Sequence, residues 1–183
     1  MMRVTSGFLV CLSRWEVGCV THPRPLPGRE RGRKEFLVKV AIGCDEAAFD
    51  LKQVLITYMA GRGVEVEDYG CPDKNPVLYP EVAATVARAI RDGKHERGVL
   101  LCGTGIGMAI SANKIDGIRA AQAHDTYSAE RARKSNDAQI VTLGSRVVGP
   151  ELAKSIIGAW LESEFQGGGS QAKVDAIARL ERE

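Results

Sequence analysis

The sequence predicts an α/β fold in which a parallel sheet is covered by helices on both faces. Three observations carry that expectation. From about Phe36 onward, apolar runs of strand length alternate with stretches of helical period. The connections between them are short, and parallel strands need helical crossovers. Glycine-rich segments bearing cysteine, carboxylate and arginine follow strands directly, which is where ligands bind in such sheets.

The elements follow in order. FLVKVAIG, rich in β-branched and apolar residues and ending on glycine, predicts the first strand. Phe49, Leu51, Val54, Leu55, Tyr58 and Met59 form a helical stripe over about 48–61, and RGVEVEDYG gives a second strand. Tyr79, Pro80 and Glu81 open a helix with proline at an early position, running through Val82, Val86 and Ile90 to a stop at Gly93. GVLLC is the third strand, followed by a glycine-rich turn and a helix near 106–113. GIRAAQA is the fourth strand, 126–134 a helix, and AQIVTLG the fifth strand. Pro150 begins a helix to about Glu164, a GGG hinge follows, and Ser170 begins a charged helix with Val174, Ile177 and Leu180 on one face. Together they describe a Rossmann-like three-layer sandwich with a five-stranded parallel sheet.

Composition limits what this fold can do. A chain of 183 residues fits one domain, and a formal net charge of +2 with dispersed basic residues lacks the concentrated positive face of a nucleic-acid binder. Small molecules are the expected partners. Five cysteines (Cys11, Cys19, Cys44, Cys71, Cys102) lack paired spacing or a histidine cluster, so neither a disulfide framework nor a metal site is expected. Reduced thiols of a cytoplasmic protein are the simple reading. Residues 1–38 differ from the rest: the apolar run Gly7 to Leu12 is too short for a secretory core or a membrane span, and Pro23 to Lys34 is crowded with proline and arginine. They are expected to form a disordered extension, with the functional domain in 39–183. His22 and His95 read as solvated.

Three clusters follow strands: Gly43-Cys44-Asp45-Glu46, Cys102-Gly103-Thr104-Gly105-Ile106-Gly107 and Gly144-Ser145-Arg146. All are expected on one sheet edge. In the second, glycines permit a tight turn with outward amides suited to an oxyanion or phosphate. The spacing is not that of a dinucleotide fingerprint, and no GKS or GKT marks a P-loop, so no nucleotide cofactor is indicated. A cysteine at the strand end, beside these amides, is placed where thiolate is favoured and can act as base or nucleophile. By position alone it is equally a small buried apolar residue.

The segments KVAIGCD, GVLLCGTGIGMAISANKIDGIRAA and HDTYSAERARKSNDAQIVTLGSRVVGPELAKSIIGAWL, with a GG before the last helix, resemble the type B ribose-5-phosphate isomerases and the related galactose-6-phosphate isomerases. The likeness runs in order over about 39–177. It implies a dimer or a tetramer of dimers with active sites between subunits, a last helix reaching a partner, and no cofactor. It also implies aldose/ketose isomerisation of a sugar phosphate through a cis-enediolate. Cys102 would then be the base. Thr104 and the amides of Gly103, Gly105, Ile106 and Gly107 would hold the charge, and Asp45 would bind sugar hydroxyls. The alternative reading of Asp45, secondary to this one, is a cap of the next helix.

Departures from the family pattern bear on the substrate. Ribose-5-phosphate enzymes of this family carry Asp-His where this chain has Asp45-Glu46, and a ring-opening histidine in His-Asn-Asp where it has Ser135-Asn136-Asp137. They grip phosphate with arginines near the end, where this chain retains Lys173; Arg146 is preserved. A tetrose 4-phosphate cannot close a furanose ring, because the oxygen required is esterified, and so needs no ring-opening acid. Ser135 therefore fits a four-carbon substrate. HDTYSAERA also resembles the branch acting in erythritol catabolism, which interconverts D-erythrulose 4-phosphate and D-erythrose 4-phosphate. His124 is the alternative acid for ring opening, and Glu46 either a sugar ligand or a helix-start carboxylate.

Overall fold

A computed structural model describes residues 38–181. The extension expected over 1–38 lies outside them but for Val38, as do Cys11, Cys19 and His22. The sheet is built from β1 (Lys39–Cys44), β2 (Glu65–Asp68), β3 (Arg97–Cys102), β4 (Ala120–Gln122) and β5 (Ile140–Gly144). All pairings are parallel and the order is β2-β1-β3-β5-β4. Six helices intervene: α1 (Phe49–Ala60), α2 (Tyr79–Arg91), α3 (Ile106–Ala112), α4 (Thr126–Asn136), α5 (Pro150–Leu161) and α6 (Gln171–Leu180). The central strands β3 and β5 are buried at every residue, whereas the edge strands are largely open.

Strand alternation divides the core into two layers. Val40, Ile42, Val99, Leu101, Val141 and Leu143 face α1 and α5, with Ala129 of α4 in the same cluster. Ala41, Leu100, Cys102 and Ile140 face α2 and α3. Helices thus cover both faces, as the alternating pattern predicts. Strands β1 and β3 are neighbours whose chains depart to opposite sides, which opens a crevice at their carboxyl ends.

Three polar side chains that sequence periodicity does not reveal are buried structural ties. Lys52 of α1, fully buried, places its Nζ 2.7 and 2.9 Å from the two carboxylate oxygens of Asp68 and 2.7 Å from the carbonyls of Gly70 and Cys71. It pins the segment after β2 behind the end of β1. Arg97 donates to the carbonyls of Trp160 (3.1 Å), Leu161 (2.9 Å) and Ser163 (3.0 Å) and to Glu164 (2.6 Å). These carbonyls have no further helical turn to receive them, and a buried cation at a helix C-terminus satisfies both hydrogen bonds and dipole. The capture explains why α5 stops at Leu161, short of the expected Glu164. His95 corrects the expectation of a solvated residue: it is buried, with Nε2 2.8 Å from the Tyr69 hydroxyl and 3.2 Å from Glu67.

Strand β4 is also shorter than GIRAAQA suggests. The Arg119 amide donates to the Gln139 side chain at 2.8 Å, and Gly117 adopts φ +80°, so pairing begins only at Ala120.

Candidate active site

The three post-strand clusters meet at one sheet end. Cys102 pairs in register with Gly144, and Cys44 with Leu101. The amides of Ser145 and Arg146 donate to the carbonyls of Cys102 (2.9 Å) and Gly103 (3.1 Å), while the Ser145 hydroxyl donates to Ala47 at 2.8 Å. The ends of β1, β3 and β5 are therefore bonded into one floor.

The Cys102–Gly107 turn is shaped by what its glycines exclude. Gly105 has φ +79°, and a Cβ there would stand 2.9 Å from the Leu143 carbonyl carbon. A Cβ on Gly144 would lie 2.6 Å from Thr104 Cα, so the end of β5 packs directly on the turn backbone. The Thr142 hydroxyl donates to the Gly105 carbonyl (2.9 Å), and Gln122 Nε2 to that of Thr104 (2.7 Å). The turn is held from beneath and from the side.

Within it, the Gly105 amide donates to Cys102 Sγ at 3.0 Å, and Cys102 as a residue is 6 % exposed at the end of β3. A thiolate accepts such a bond more strongly than a thiol. The Ile106 amide donates to Thr104 Oγ1 at 3.4 Å, which leaves the hydroxyl proton of exposed Thr104 available to donate outward. Two of the amides expected to face a ligand are thus taken up by side chains of the turn itself, and the outward role falls on the rest of the turn and on Thr104.

Around this floor stand Asp45, Glu46, His124 and Arg146. Asp45 caps the short 3-10 turn Glu46–Ala48, its Oδ1 accepting from the Ala48 amide at 3.2 Å. Burial, and after it the adjacent Glu46 carboxylate, raises its pKa above the ordinary carboxylate value, opposed by the Ala48 and Ala47 amides and by Arg146. Glu46 accepts from the Val77 amide at 3.3 Å and so anchors the loop ahead of α2. His124 Nε2 accepts the Gly144 amide at 3.0 Å. That nitrogen is occupied by the fold, so His124 holds the β5 end. Arg146 is exposed and lies against Gly103, its Cδ, Nε and Cζ 3.5 Å from the position a Cβ there would take.

Tyr79 is a site residue the sequence reading missed. Its ring lies so close to Gly107 that a Cβ there would be 2.6 Å from the ring. Its place before Pro80 marks a helix start; the contact with the turn depends on α2 packing beside α3 and leaves no local signature. Cys44, the other strand-end thiol, is a contrasting case. Fully buried, it is pushed from its ordinary 9.0 to about 12, chiefly by burial. Among the described residues no group of three or more His, Cys, Asp and Glu is arranged to hold a metal ion, and no helix is long and apolar enough to cross a membrane.

Ser135, Asn136 and Lys173 are not brought to this floor within one chain. Ser135 and Asn136 end α4 just before β5 begins, a full strand length, roughly 15 Å, from Gly144 and the Cys102 turn. Arg119, preceding β4, donates to the Asn136 and Asp137 carbonyls at 3.0 Å, which fixes the end of α4 at the amino edge of the sheet. Lys173 is exposed on α6, a helix in which only Val174 is buried.

Comparison with known proteins is consistent along the domain. A family model described as Ribose/Galactose Isomerase matches residues 40–177. A protein of Pectobacterium atrosepticum named D-erythrulose-4-phosphate isomerase is 60% identical over 148 residues, covering 80% of this chain and 97% of its own. One of Listeria innocua named Ribose-5-P isomerase B is 55% identical over 145 residues, covering 79% and 98%. The solved structure of Clostridium thermocellum ribose-5-phosphate isomerase B superposes with a TM-score of 0.78 at 42% identity, covering 79% of this chain and 97% of that one.

Proposed function

The chain belongs to the ribose/galactose isomerase family, and from that membership we propose that it interconverts D-erythrulose 4-phosphate and D-erythrose 4-phosphate in the cytoplasm. The observation that carries the choice of substrate is Ser135. Its hydroxyl accepts a hydrogen bond from Arg131 and has no proton-transfer chemistry near neutral pH, so the end of α4 offers no acid for opening a furanose ring. A tetrose 4-phosphate has no such ring to open. The relative that shares 60% of its residues bears the name of this activity.

In this reading the Cys102 thiolate removes the proton from C1 of the ketose, and the electron pair left behind makes the C1–C2 double bond of the enediolate. The charge on O2 is met by the Thr104 hydroxyl and the outward amides of the turn, with Arg146 beside them. The Cys102 proton returns to C2 as the C1–O1 carbonyl forms, and the O1 proton passes by way of the Asp45 carboxylate to O2, giving the aldose. Burial of Asp45 suits a carboxylate that must both take and yield a proton.

The separation of Ser135, Asn136 and Lys173 from Cys102 within one chain supports a site completed by a second copy. α6 supports it too, since Ile177 is 39% and Leu180 67% exposed on the face that buries Val174. The test is a panel of tetrose, pentose and hexose phosphates assayed with one preparation. The highest kcat/KM is expected on erythrulose 4-phosphate; a decisively higher value on ribose 5-phosphate would make the protein a ribose-5-phosphate isomerase instead.

A further inference from the structure

A cleft of about 500 Å3 opens beside α4, lined among others by Asn113, Arg119, Ser128, Arg131, Asn136 and Ile177. The cations that line it, Arg119 and Arg131, and those beside it on α4, Arg133 and Lys134, are not equivalent. Arg119 is paired with Asp137 at 2.9 Å; Arg133, on the same helix, with Asp137 at 2.6 Å and Glu164 at 3.8 Å; and Lys134 with Glu130 at 3.1 Å. Arg131 differs. Its close partner is the neutral Ser135 hydroxyl, one turn along the helix, and the nearest carboxylate, Glu130, stands at 3.9 Å from Nη1. The guanidinium is thus fixed in direction by a group that takes none of its charge, and it faces a cleft also offered the Asn136 amide and the Ser128 hydroxyl. A planar cation held in this way matches the tetrahedral face of a phosphate monoester.

We infer that Arg131 binds the substrate's phosphate group, at the Cys102 turn of a second copy of the chain. The inference rests on the proposed isomerase reading and adds the residue that grips the end of the substrate remote from proton transfer. Geometry requires the second copy, because Arg131 lies toward the Ser135 end of α4 while Cys102 lies at the opposite sheet end. At the turn itself the exposed cation is Arg146, which stands against Gly103 and close enough to Asp45 for its charge to act on that carboxyl. A dianion one substrate length away needs another. Ser135 then acts as a positioning residue: it aims Arg131. Ile177 brings α6 to the same cleft, and Lys173 stands exposed one turn before it on that helix.

The experiment compares the full-length protein with Arg131→Met and Arg131→Lys, using inorganic phosphate as the binding probe in calorimetry and erythrulose 4-phosphate, with any other phosphate turned over, as substrate. Loss of one charge-assisted contact predicts that Arg131→Met raises KM and the phosphate dissociation constant roughly 10- to 100-fold while kcat changes far less, and that lysine restores part of both. Unchanged phosphate binding in Arg131→Met overturns the assignment. Because phosphate binding is read without turnover, a wild-type protein that isomerises no tested sugar would sink the isomerase reading while still deciding whether Arg131 holds phosphate. A heterodimer of Cys102→Ser and Arg131→Met copies, isolated by different tags, contains one intact site if the residues act across subunits. It is expected to regain about half the wild-type kcat/KM per dimer. No recovery above the Arg131→Met homodimer overturns the placement across the interface.

Discussion

The main-chain N–H of Gly105 points at Cys102 Sγ across 3.0 Å, so the residue that bends the turn also holds the thiol at its floor. If Cys102 is the base that moves the substrate proton, Cys102→Ala removes that group without disturbing the packed strand end. Turnover is then expected to fall roughly 10²- to 10⁴-fold with the far-UV circular dichroism and urea midpoint little changed. Isomerisation of every candidate sugar at the wild-type rate would show that another group takes the proton.

The backbone of the same turn makes a second expectation. Gly105→Ala places a methyl at φ +79° and 2.9 Å from Leu143, with nothing flexible to yield. The left-handed conformation and the backbone clash together are expected to cost roughly 2–4 kcal/mol in urea denaturation and to displace Thr104 and Cys102, so that kcat falls as well. Stability lost with kcat intact would mean the turn tolerates a shift that the proposed chemistry should not.

The glycine spacing that makes this turn, the alternation of strands and helices, and the gathering of Asp45, Cys102 and Arg146 at strand ends were all legible in the sequence, because each depends on local chemistry repeated at a fixed period. Sheet order was not, and neither were the long side chains that turn inward. Lys52, His95 and Arg97 look like surface residues in any local window. Their partners lie 16 to 67 positions along the chain or against elements whose packing no periodicity encodes. Gln122 and Tyr79 were missed for the same reason: each meets the Cys102 turn only after the sheet has assembled.

Arg97 offers a direct test of such a tie. Arg97→Met keeps much of the volume but strips the carbonyls of Trp160, Leu161 and Ser163 of their donor. Leaving these groups unpaired is expected to lower stability by roughly 2–4 kcal/mol, read as a lower urea midpoint with unchanged slope, while kcat at 25 °C holds. A midpoint equal to wild type would show that water reaches and satisfies the end of α5.

Alkaline pH should expose Cys44. Its thiol is raised from 9.0 to about 12 by burial, so the folded state keeps a proton that the unfolded state releases. The stability this contributes is fully present below pH 9 and is lost as pH rises through 12. Wild type should therefore lose stability over that window faster than Cys44→Ala, by up to about 1.4 kcal/mol per pH unit. Parallel stability curves between pH 9 and 12 would contradict the assignment.

His124 decides between two roles by which nitrogen it uses. Its Nε2 accepts the Gly144 amide at 3.0 Å, and Gly144 packs on Thr104, so the imidazole supports the turn as an acceptor. Glutamine can place its carbonyl oxygen near the same point, and alanine cannot. His124→Gln is accordingly expected to keep kcat within a few-fold, whereas His124→Ala leaves a partly buried N–H unpaired and should cost roughly 1–3 kcal/mol together with a drop in kcat on every substrate. An acid that opens sugar rings would behave differently. Glutamine would then fail as badly as alanine, and only on substrates able to cyclise, so steady-state kinetics on a tetrose and a pentose phosphate with both variants separates a residue that holds the turn from one that acts on the ring.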